Sequence, residues 1–168
     1  MGYFIIIRGP LGIGKSTIAE KLSKSLNAKY VSIDKILEEH GLDKVSPEAE
    51  CIPIENFIKA NEFILPEVRK ILKKCKIVIF DACFYHKEVI EHIIQNLKGY
   101  QHYVFTLKAP LEICIKRDLE REKTHGEEAA RAVYKLVSRF DYGIVIDVSN
   151  KTIEQTVKEI LSYLPKPQ

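Results

Sequence analysis

Short apolar runs alternate along the chain with segments in which apolar residues recur every three or four positions. The runs have the length and composition of buried parallel strands, and the periodic segments have the pattern of amphipathic helices. Strands that alternate with helices form a parallel sheet with helices on both faces and right-handed crossovers. The helix after the last run opens with the capping-box pair Thr152 and Gln155. The pattern predicts five strands, at residues 3–7, 29–34, 77–81, 101–109 and 143–149.

The stretch between the second and third predicted strands carries two further helix signals. Ser46-Pro47-Glu48 predicts the start of a short helix that ends before Pro53. A longer apolar stripe covers residues 54–72, and Pro66 within it predicts a kink or a division. Asn61 falls inside this stripe, where a hydrogen bond to the backbone is favoured over contact with a substrate.

The segment after the first apolar run fits G-x-x-x-x-G-K-[ST], the pattern of a phosphate-binding loop. Its residues are Gly9, Pro10, Leu11, Gly12, Ile13, Gly14, Lys15, Ser16 and Thr17. Glycines let successive backbone N–H groups converge on phosphate oxygens, and the N-terminus of the next helix adds partial positive charge. Lys15 would supply charge to the β- and γ-phosphates, and Ser16 would offer a hydroxyl to Mg²⁺. The third glycine of the dinucleotide-binding pattern G-x-G-x-x-G is absent, which excludes that alternative.

Two acidic residues end predicted strands, at the sheet edge where open α/β sheets bind ligands. Asp34 precedes a helix predicted over residues 35–40, so it could be a residue of the active site or only the N-cap of that helix, and the two roles can coexist. Asp81 ends four apolar residues, the pattern of a Walker B segment, and would reach the Mg²⁺ region through water. Tyr85 and His86 follow in an exposed loop on the same edge and could touch a substrate, although exposed loop residues more often have no specific role.

A charged helical segment and the helix after it predict a short lid at about residues 115–131. Arg117 and Arg121 are four residues apart and share one helix face, so both could close over a triphosphate. Thr124 and Glu127 have the spacing of a capping box that starts the second helix. The alternative is a solvated hairpin held by salt bridges.

Composition bounds the class of protein. With 168 residues and 46% hydrophobic content, the chain suits one domain over residues 1–168. The formal net charge of +3 is mixed, and the basic cluster around Lys73 and Lys74 precedes a strand, on the face opposite the strand ends, so nucleic acid is not favoured. Four cysteines without C-x-x-C spacing argue against zinc or disulfides. No signal peptide or membrane-length apolar run is present, so we expect a soluble cytoplasmic protein.

The motifs together resemble the small P-loop kinases of the AAA-like or zeta-toxin-like group, which includes chloramphenicol phosphotransferase, gluconate kinase, adenylylsulfate kinase and polynucleotide kinase. The resemblance rests on the phosphate-binding loop and on residues 31–34, 78–81, 108–114 with Arg117, and 144–149. It implies a three-layer α/β/α fold with sheet order 2-3-1-4-5 and ATP-dependent phosphorylation of a substrate hydroxyl. It also implies that Asp34 acts as general base or orients the nucleophile. Arg117 and Arg121 would lie near ATP, and Ser149 and Asn150 would pass near the adenine.

Two classes of function follow from these residues. The first is a kinase that uses ATP and Mg²⁺ and phosphorylates an unidentified hydroxyl-bearing acceptor, either a small molecule or a nucleotide-type compound. The second is a nucleotide-operated switch, or slow NTPase, that acts through a protein partner. The lid arginines, Asp34 and the small size favour the kinase, and the missing N-K-x-D stretch weakens a GTPase-type switch. Monomer and homodimer both stay open.

Overall fold

The computed structural model describes residues 1–122 and 124–166, with five strands and seven helices over those residues. Lys123, inside the predicted lid, lies outside the described residues. In chain order the elements are β1 (Tyr3–Arg8), α1 (Lys15–Leu26), β2 (Lys29–Ser32), α2 (Ile33–Glu39), α3 (Ile54–Lys73), β3 (Ile77–Ala82), α4 (Lys87–Asn96), β4 (Gln101–Lys108), α5 (Leu111–Leu119), α6 (Glu127–Val137), β5 (Ile144–Asp147) and α7 (Ile153–Tyr163).

The five strands form one parallel sheet in the order β2-β3-β1-β4-β5, which confirms the predicted topology. The central strand is β1, whose Ile5 pairs with Ile79 on one side and with Tyr103 on the other. Every residue of β1 is buried, as expected for a strand covered on both faces. The phosphate-binding loop therefore leaves the sheet at its centre.

Helices cover both faces of the sheet, which confirms the three-layer α/β/α fold. On one face, α2, α3, α4 and the end of α6 pack against Phe4, Ile6 and Phe80. On the other face, α1, α5 and α7 pack against Ile5 and Ile7 and their neighbours. None of the helices described in residues 1–122 and 124–166 has both the length and the apolar character needed to cross a bilayer.

The second strand ends two residues earlier than the sequence predicts. β2 stops at Ser32, and α2 begins at Ile33 rather than at residue 35. The Ser32 hydroxyl accepts a hydrogen bond from the backbone N–H of Lys35 at 3.2 Å and is the N-cap of α2. The N-cap alternative for Asp34 is therefore wrong, because Asp34 lies one residue inside the helix, in its first turn.

The short helix predicted after residue 46 is wrong. Ser46 and Cys51 form an isolated antiparallel bridge, and the Glu50 N–H donates to the Ser46 carbonyl at 2.8 Å. The chain between them is a turn in which Glu50 has a φ of 54°. The bond from Glu50 to Ser46 closes one helical turn, and the left-handed φ of Glu50 stops this turn from continuing as a helix.

The other helix signals have mixed outcomes. α3 runs without interruption for 20 residues, so Pro66 does not divide it. The capping box at Thr152 is confirmed, with hydrogen bonds of 3.1 and 2.8 Å between it and Gln155. The capping box at Thr124 is wrong, because α6 has Gly126 as its N-cap and no side chain bonds that helix end. A buried carboxylate in α5 accepts the Thr124 hydroxyl instead.

Candidate active site

The phosphate-binding loop connects β1 to α1 at the C-terminal edge of the sheet. Gly12 and Gly14 have φ values of 79° and 99°, a region that favours glycine. A Cβ on Gly12 would clash with the carbonyl oxygen of Cys114 in α5 and lie 3.0 Å from the backbone nitrogen of Asp118. The loop thus packs directly on α5. The first N–H groups of α1 lack partners within the helix and are available to phosphate oxygens.

Lys15 is buried at the start of α1, with 7% of its surface exposed. Its Nζ donates a hydrogen bond of 2.9 Å to the carbonyl of Pro10, within the loop itself. Burial disfavours the charged form, whereas the nearby Cys83, Asp81 and Asp34 favour it. The net effect raises the pKa of the ammonium above its usual value, so Lys15 carries a positive charge beside the loop at neutral pH.

Asp81 ends up beside Ser16, as its predicted role in holding the metal requires. Oδ2 of Asp81 accepts hydrogen bonds from the Ser16 hydroxyl at 3.1 Å and from the Tyr30 hydroxyl at 2.5 Å. Its Oδ1 is buried and has no partner among the described residues. A carboxylate oxygen without a partner among the described residues, next to a hydroxyl that donates its own proton to the same carboxylate, fits Mg²⁺, which prefers oxygen ligands and keeps several waters. The sequence did not indicate a role for Tyr30, because a tyrosine in a predicted strand gives no signal that its hydroxyl will bond a carboxylate on the neighbouring strand.

Asp34 lies in the first turn of α2, close enough to Lys15 and Asp81 for their charges to act on it. Asp34 as a whole residue is exposed to solvent, but the protein packed around its carboxyl disfavours the charged form. Desolvation is the main cause of a raised pKa, Asp81 raises it further, and Lys15 lowers it. The resulting pKa of Asp34 is about 6. A carboxyl with that pKa is suited to accept a proton near neutral pH.

The two predicted lid arginines lie over the phosphate-binding loop. Nη1 of Arg117 donates a hydrogen bond of 3.4 Å to the carbonyl of Ile13. Arg121 lies beyond the end of α5, so the two do not share one helix face as predicted. Both nevertheless line a cavity of about 220 Å³, together with Gly12, Gly14, Lys15, Ser16 and Thr17. Three cationic side chains, those of Lys15, Arg117 and Arg121, therefore line the cavity in which the loop would hold phosphates.

The α5–α6 hairpin also contains the kind of surface ion pair that the alternative interpretation requires. Arg131 pairs with Glu127 at 2.7 Å within α6, and both side chains are exposed. Asp118, by contrast, is buried in α5 with 1% exposure. Its Oδ2 accepts the Thr124 hydroxyl at 2.7 Å and the His125 N–H at 3.2 Å. Asp118 therefore ties the connection between the helices to α5, a role that the sequence did not indicate.

Ser149 and Asn150, predicted near the adenine, occupy the turn between β5 and α7. The backbone N–H and hydroxyl of Ser149 both donate to Oδ1 of Asp147, at 2.8 and 2.5 Å. Ser149 also lines a cavity of about 460 Å³ beside Pro10, with residues 106–110 and part of α6. Asn150 is exposed and is not among the residues that line that cavity.

The backbone hydrogen bond predicted for Asn61 is confirmed, whereas the prediction that Tyr85 and His86 are exposed is wrong, because Tyr85 is buried and His86 is half-buried. Nδ2 of Asn61 donates to the carbonyl of Val89 at 3.3 Å and so joins α3 to α4. The Tyr85 hydroxyl accepts the Ile52 N–H at 2.9 Å, and Nε2 of His86 lies 2.7 Å from the Ile52 carbonyl. These two side chains hold the end of the 46–52 segment against the loop after β3.

Arg8, directly before the phosphate-binding loop, is fully buried and was not singled out from the sequence. Its guanidinium donates to the carbonyls of Phe84, Val137 and Phe140 at 3.0 to 3.2 Å and to the Thr106 hydroxyl at 3.2 Å. Burial lowers its pKa to about 10, so it stays charged at neutral pH. The cation thus satisfies carbonyls at the C-terminal end of α6, where a helix favours positive charge.

Comparison with known proteins assigns this chain to a family. A family model described as AAA domain matches residues 4–140. The cytidylate kinase of Saccharolobus islandicus is 32% identical over 184 residues, covering 95% of this chain and 89% of that protein. The chain belongs to this family, as a small P-loop kinase. The shikimate kinase of Actinobacillus succinogenes is similar to this kinase as well, at 28% identity over 95% of the chain and 91% of that protein.

Solved structures share the fold of the kinase. A gluconokinase from Sinorhizobium meliloti superposes with a TM-score of 0.71 at 14% identity, covering 95% of this chain and 90% of that one. The tunicamycin resistance protein of Deinococcus radiodurans gives a TM-score of 0.68 at 20% identity, covering 97% and 95%. The adenylylsulfate kinase of Mycobacterium tuberculosis, solved with AMPPNP and adenylylsulfate, gives 0.70 at 13% identity, covering 96% of each chain. At these identities the likeness concerns the fold.

Proposed function

We propose that this kinase transfers the γ-phosphoryl group of ATP to a hydroxyl group of a small-molecule acceptor. The observation that carries the proposal is the position of Asp34, a carboxyl with a pKa of about 6 close to Lys15 and Asp81 at the phosphate-binding loop. An alcohol is a weak nucleophile until its proton is removed, so a base at this position has a chemical task.

Each side chain around the loop has a separate part in this proposal. The N–H groups of α1 and the charge of Lys15 hold the phosphates of ATP. Arg117 and Arg121 add positive charge above the same cavity, where they stabilise charge that develops during transfer. Ser16 and Asp81 would hold Mg²⁺, which neutralises charge on the β- and γ-phosphates when bound. Asp34 takes the proton from the acceptor hydroxyl as its oxygen attacks phosphorus.

The relatives differ in the kind of atom that receives phosphate, and Asp34 supports one kind. A cytidylate kinase, by its name, phosphorylates a nucleotide, whose phosphate oxygens are already ionised at neutral pH. Such an acceptor gains nothing from a base, and a nearby carboxylate would repel it. A hydroxyl acceptor, as in shikimate kinase and gluconokinase, gains from the base. The base position therefore favours an alcohol as acceptor.

The nucleotide would extend from the loop towards the turn that follows β5. Ser149 lines a cavity beside Pro10, and Asn150 follows it in the exposed turn. We assign these two residues to the neighbourhood of the adenine. The AMPPNP in the adenylylsulfate kinase structure supports ATP as the phosphoryl donor for this fold.

The test is a transfer assay with γ-labelled ATP, Mg²⁺ and acceptors in matched pairs. Each pair sets an alcohol against a phosphorylated form of it, such as cytidine against cytidine monophosphate, with sugars and sugar acids alongside. We expect label in an acid-stable monoester of an alcohol and none with Lys15→Ala. Label confined to nucleoside diphosphates would overturn the hydroxyl acceptor. Slow hydrolysis without transfer to any acceptor would favour the nucleotide switch.

A further inference from the structure

The Tyr30 hydroxyl lies inside the proposed metal site, although Tyr30 belongs to the outermost strand, β2. It donates its hydrogen bond to Oδ2 of Asp81 at 2.5 Å, across the pair of strands β2 and β3. The Ser16 hydroxyl donates to the same oxygen at 3.1 Å. Two hydroxyl groups thus donate to one oxygen of a buried carboxylate.

The two oxygens of Asp81 have different environments as a result. Oδ2 accepts two hydrogen bonds, from Tyr30 and from Ser16, and this holds the plane of the carboxylate. Oδ1 is buried without a partner among the described residues, and Asp81 as a whole is only 2% exposed. A buried carboxylate oxygen without a partner is costly, so its orientation has to be maintained by the groups on the other oxygen.

The hydrogen bond from Ser16 has a second consequence. Because Ser16 gives its proton to Asp81, the lone pairs of its oxygen stay available on the other side. If Asp81 rotated, Ser16 would lose its acceptor, and both proposed ligands would change orientation together. The Tyr30 hydroxyl donates the shorter of the two hydrogen bonds to Oδ2, at 2.5 Å against 3.1 Å for Ser16.

We propose that Tyr30 is a positioning residue of the metal site, which orients Asp81 so that Oδ1 faces the Mg²⁺ bound with the nucleotide. This rests on the proposed Mg²⁺ and nucleotide site, but it concerns a residue in contact with a ligand rather than a ligand. Groups that bond the ligands of a metal commonly change metal affinity about 10–100-fold when removed. Tyr30→Phe removes the hydroxyl and leaves the ring, which packs with the core around α1 and α7.

The experiment measures metal affinity and needs neither an acceptor nor turnover. Mn²⁺ replaces Mg²⁺ as the probe, and its binding to the protein with AMPPNP is followed by electron paramagnetic resonance. We expect Tyr30→Phe to weaken Mn²⁺ binding about tenfold. Binding of metal-free AMPPNP, measured by calorimetry in EDTA, should stay unchanged.

The matched control is Tyr103→Phe, which removes a hydroxyl from a tyrosine in the same core, on β4. It should leave the Mn²⁺ affinity at the wild-type value. A second arm combines Tyr30→Phe with Asp81→Asn. If Tyr30 acts through Asp81, the double variant should bind Mn²⁺ no more weakly than Asp81→Asn alone.

Three outcomes would overturn the proposal. The first is a wild-type Mn²⁺ affinity in Tyr30→Phe, and the second is a loss that adds fully to that of Asp81→Asn. The third is a wild-type affinity in Asp81→Asn, which removes Asp81 from the metal site and leaves Tyr30 with nothing to position. None of these results depends on the acceptor, so failure of the hydroxyl-kinase proposal would be seen separately in the transfer assay.

Discussion

Ser16 and Asp81 are 65 residues apart in the sequence, and a hydrogen bond of 3.1 Å joins their side chains at the edge of the sheet. The parallel pairing of β1 and β3 brings them together, because it aligns the strand ends from which the phosphate-binding loop and Asp81 emerge. The proposed metal site therefore depends on the register of two strands as much as on the motif. Five predictions test the site and the elements that hold it.

Gly12→Ala should destabilise the protein by more than the backbone conformation alone explains. A left-handed φ costs an L-residue about 1–2 kcal/mol, and here the Cβ would also clash with the backbone of α5. Gly41→Ala is the matched control, since Gly41 has a φ of 65° and nothing within 4 Å of an added Cβ. Chemical denaturation of both variants measures the difference. Equal losses of unfolding free energy in the two variants would show that the close packing of Gly12 on α5 does not contribute to the effect of the substitution.

Arg117→Ala and Arg121→Ala should each lower phosphoryl transfer at least tenfold. Arg117→Ala should change the melting temperature little, whereas Arg121→Ala also removes a 3.8 Å ion pair with the buried Asp118 and should lower it more. Both side chains line the phosphate cavity, and removing a cation from developing charge is costly for catalysis. Arg131→Ala, on α6 of the same hairpin, removes an exposed pair with Glu127 and should leave both quantities near wild type. Stability lost with transfer retained would make the two arginines structural.

Asp34→Asn should lower transfer by about 10²–10⁴-fold with ATP affinity nearly unchanged, since Asn keeps the shape but is not a base. Because the pKa of Asp34 is about 6, wild-type kcat/KM should fall as the pH drops below 6, and the variant should lack this dependence. Loss of Mg-ATP binding in calorimetry would instead place Asp34 among the metal ligands. Full activity would remove it from the mechanism.

The same carboxyl predicts a pH dependence of stability. Its pKa is raised in the folded state, so folding favours the protonated form and its contribution is complete below the unfolded value, near 3.8. That contribution is lost as the pH rises through about 6. Asp34→Asn has no such loss. The melting temperature of the variant minus that of the wild type should therefore increase from pH 4 to pH 7. A constant difference over this range would contradict the raised pKa.

Asp118→Ala should destabilise the α5–α6 connection by about 1–3 kcal/mol, since it leaves the Thr124 hydroxyl and the His125 N–H without their acceptor. Asp118→Asn keeps an acceptor oxygen and should lose less. Asp141→Ala, which breaks an exposed 2.7 Å pair with Lys108, is the control and should cost less than about 1 kcal/mol. Limited proteolysis reports the connection directly, and equal cleavage rates in the three variants would exclude the role of Asp118.

Local patterns in the sequence determined the layout of this protein. The alternation of apolar runs with helical periodicity gave the five parallel strands, and the glycine and lysine spacing of the phosphate-binding loop located the candidate site. The Thr152 capping box was predictable for the same reason. All of these signals are set within a few residues, so the rest of the fold does not alter them.

Local patterns gave wrong predictions where hydrogen bonds to other parts of the chain compete with them. Thr124 has the sequence spacing of a cap, but the buried carboxylate of Asp118 accepts its hydroxyl instead. The turn at residues 46–51 has a helix start in its sequence, but its end is held by Tyr85 and His86. In both places a hydrogen bond to a residue outside the predicted motif accompanies the loss of the predicted helix start.

The contacts of Tyr30 and Arg8 were decided by the tertiary structure alone. Tyr30 reaches Asp81 because β2 lies beside β3 in the sheet. Arg8, on β1, reaches the end of α6 because α6 belongs to the connection from β4, the neighbour of β1, to β5. These partners are 51 and 129 residues apart. A periodic pattern shows which face of an element is buried, whereas the atom that a buried polar group meets depends on strand order and register. The sequence alone therefore located the phosphate-binding loop, and the packing of the strands placed the groups that orient its neighbours.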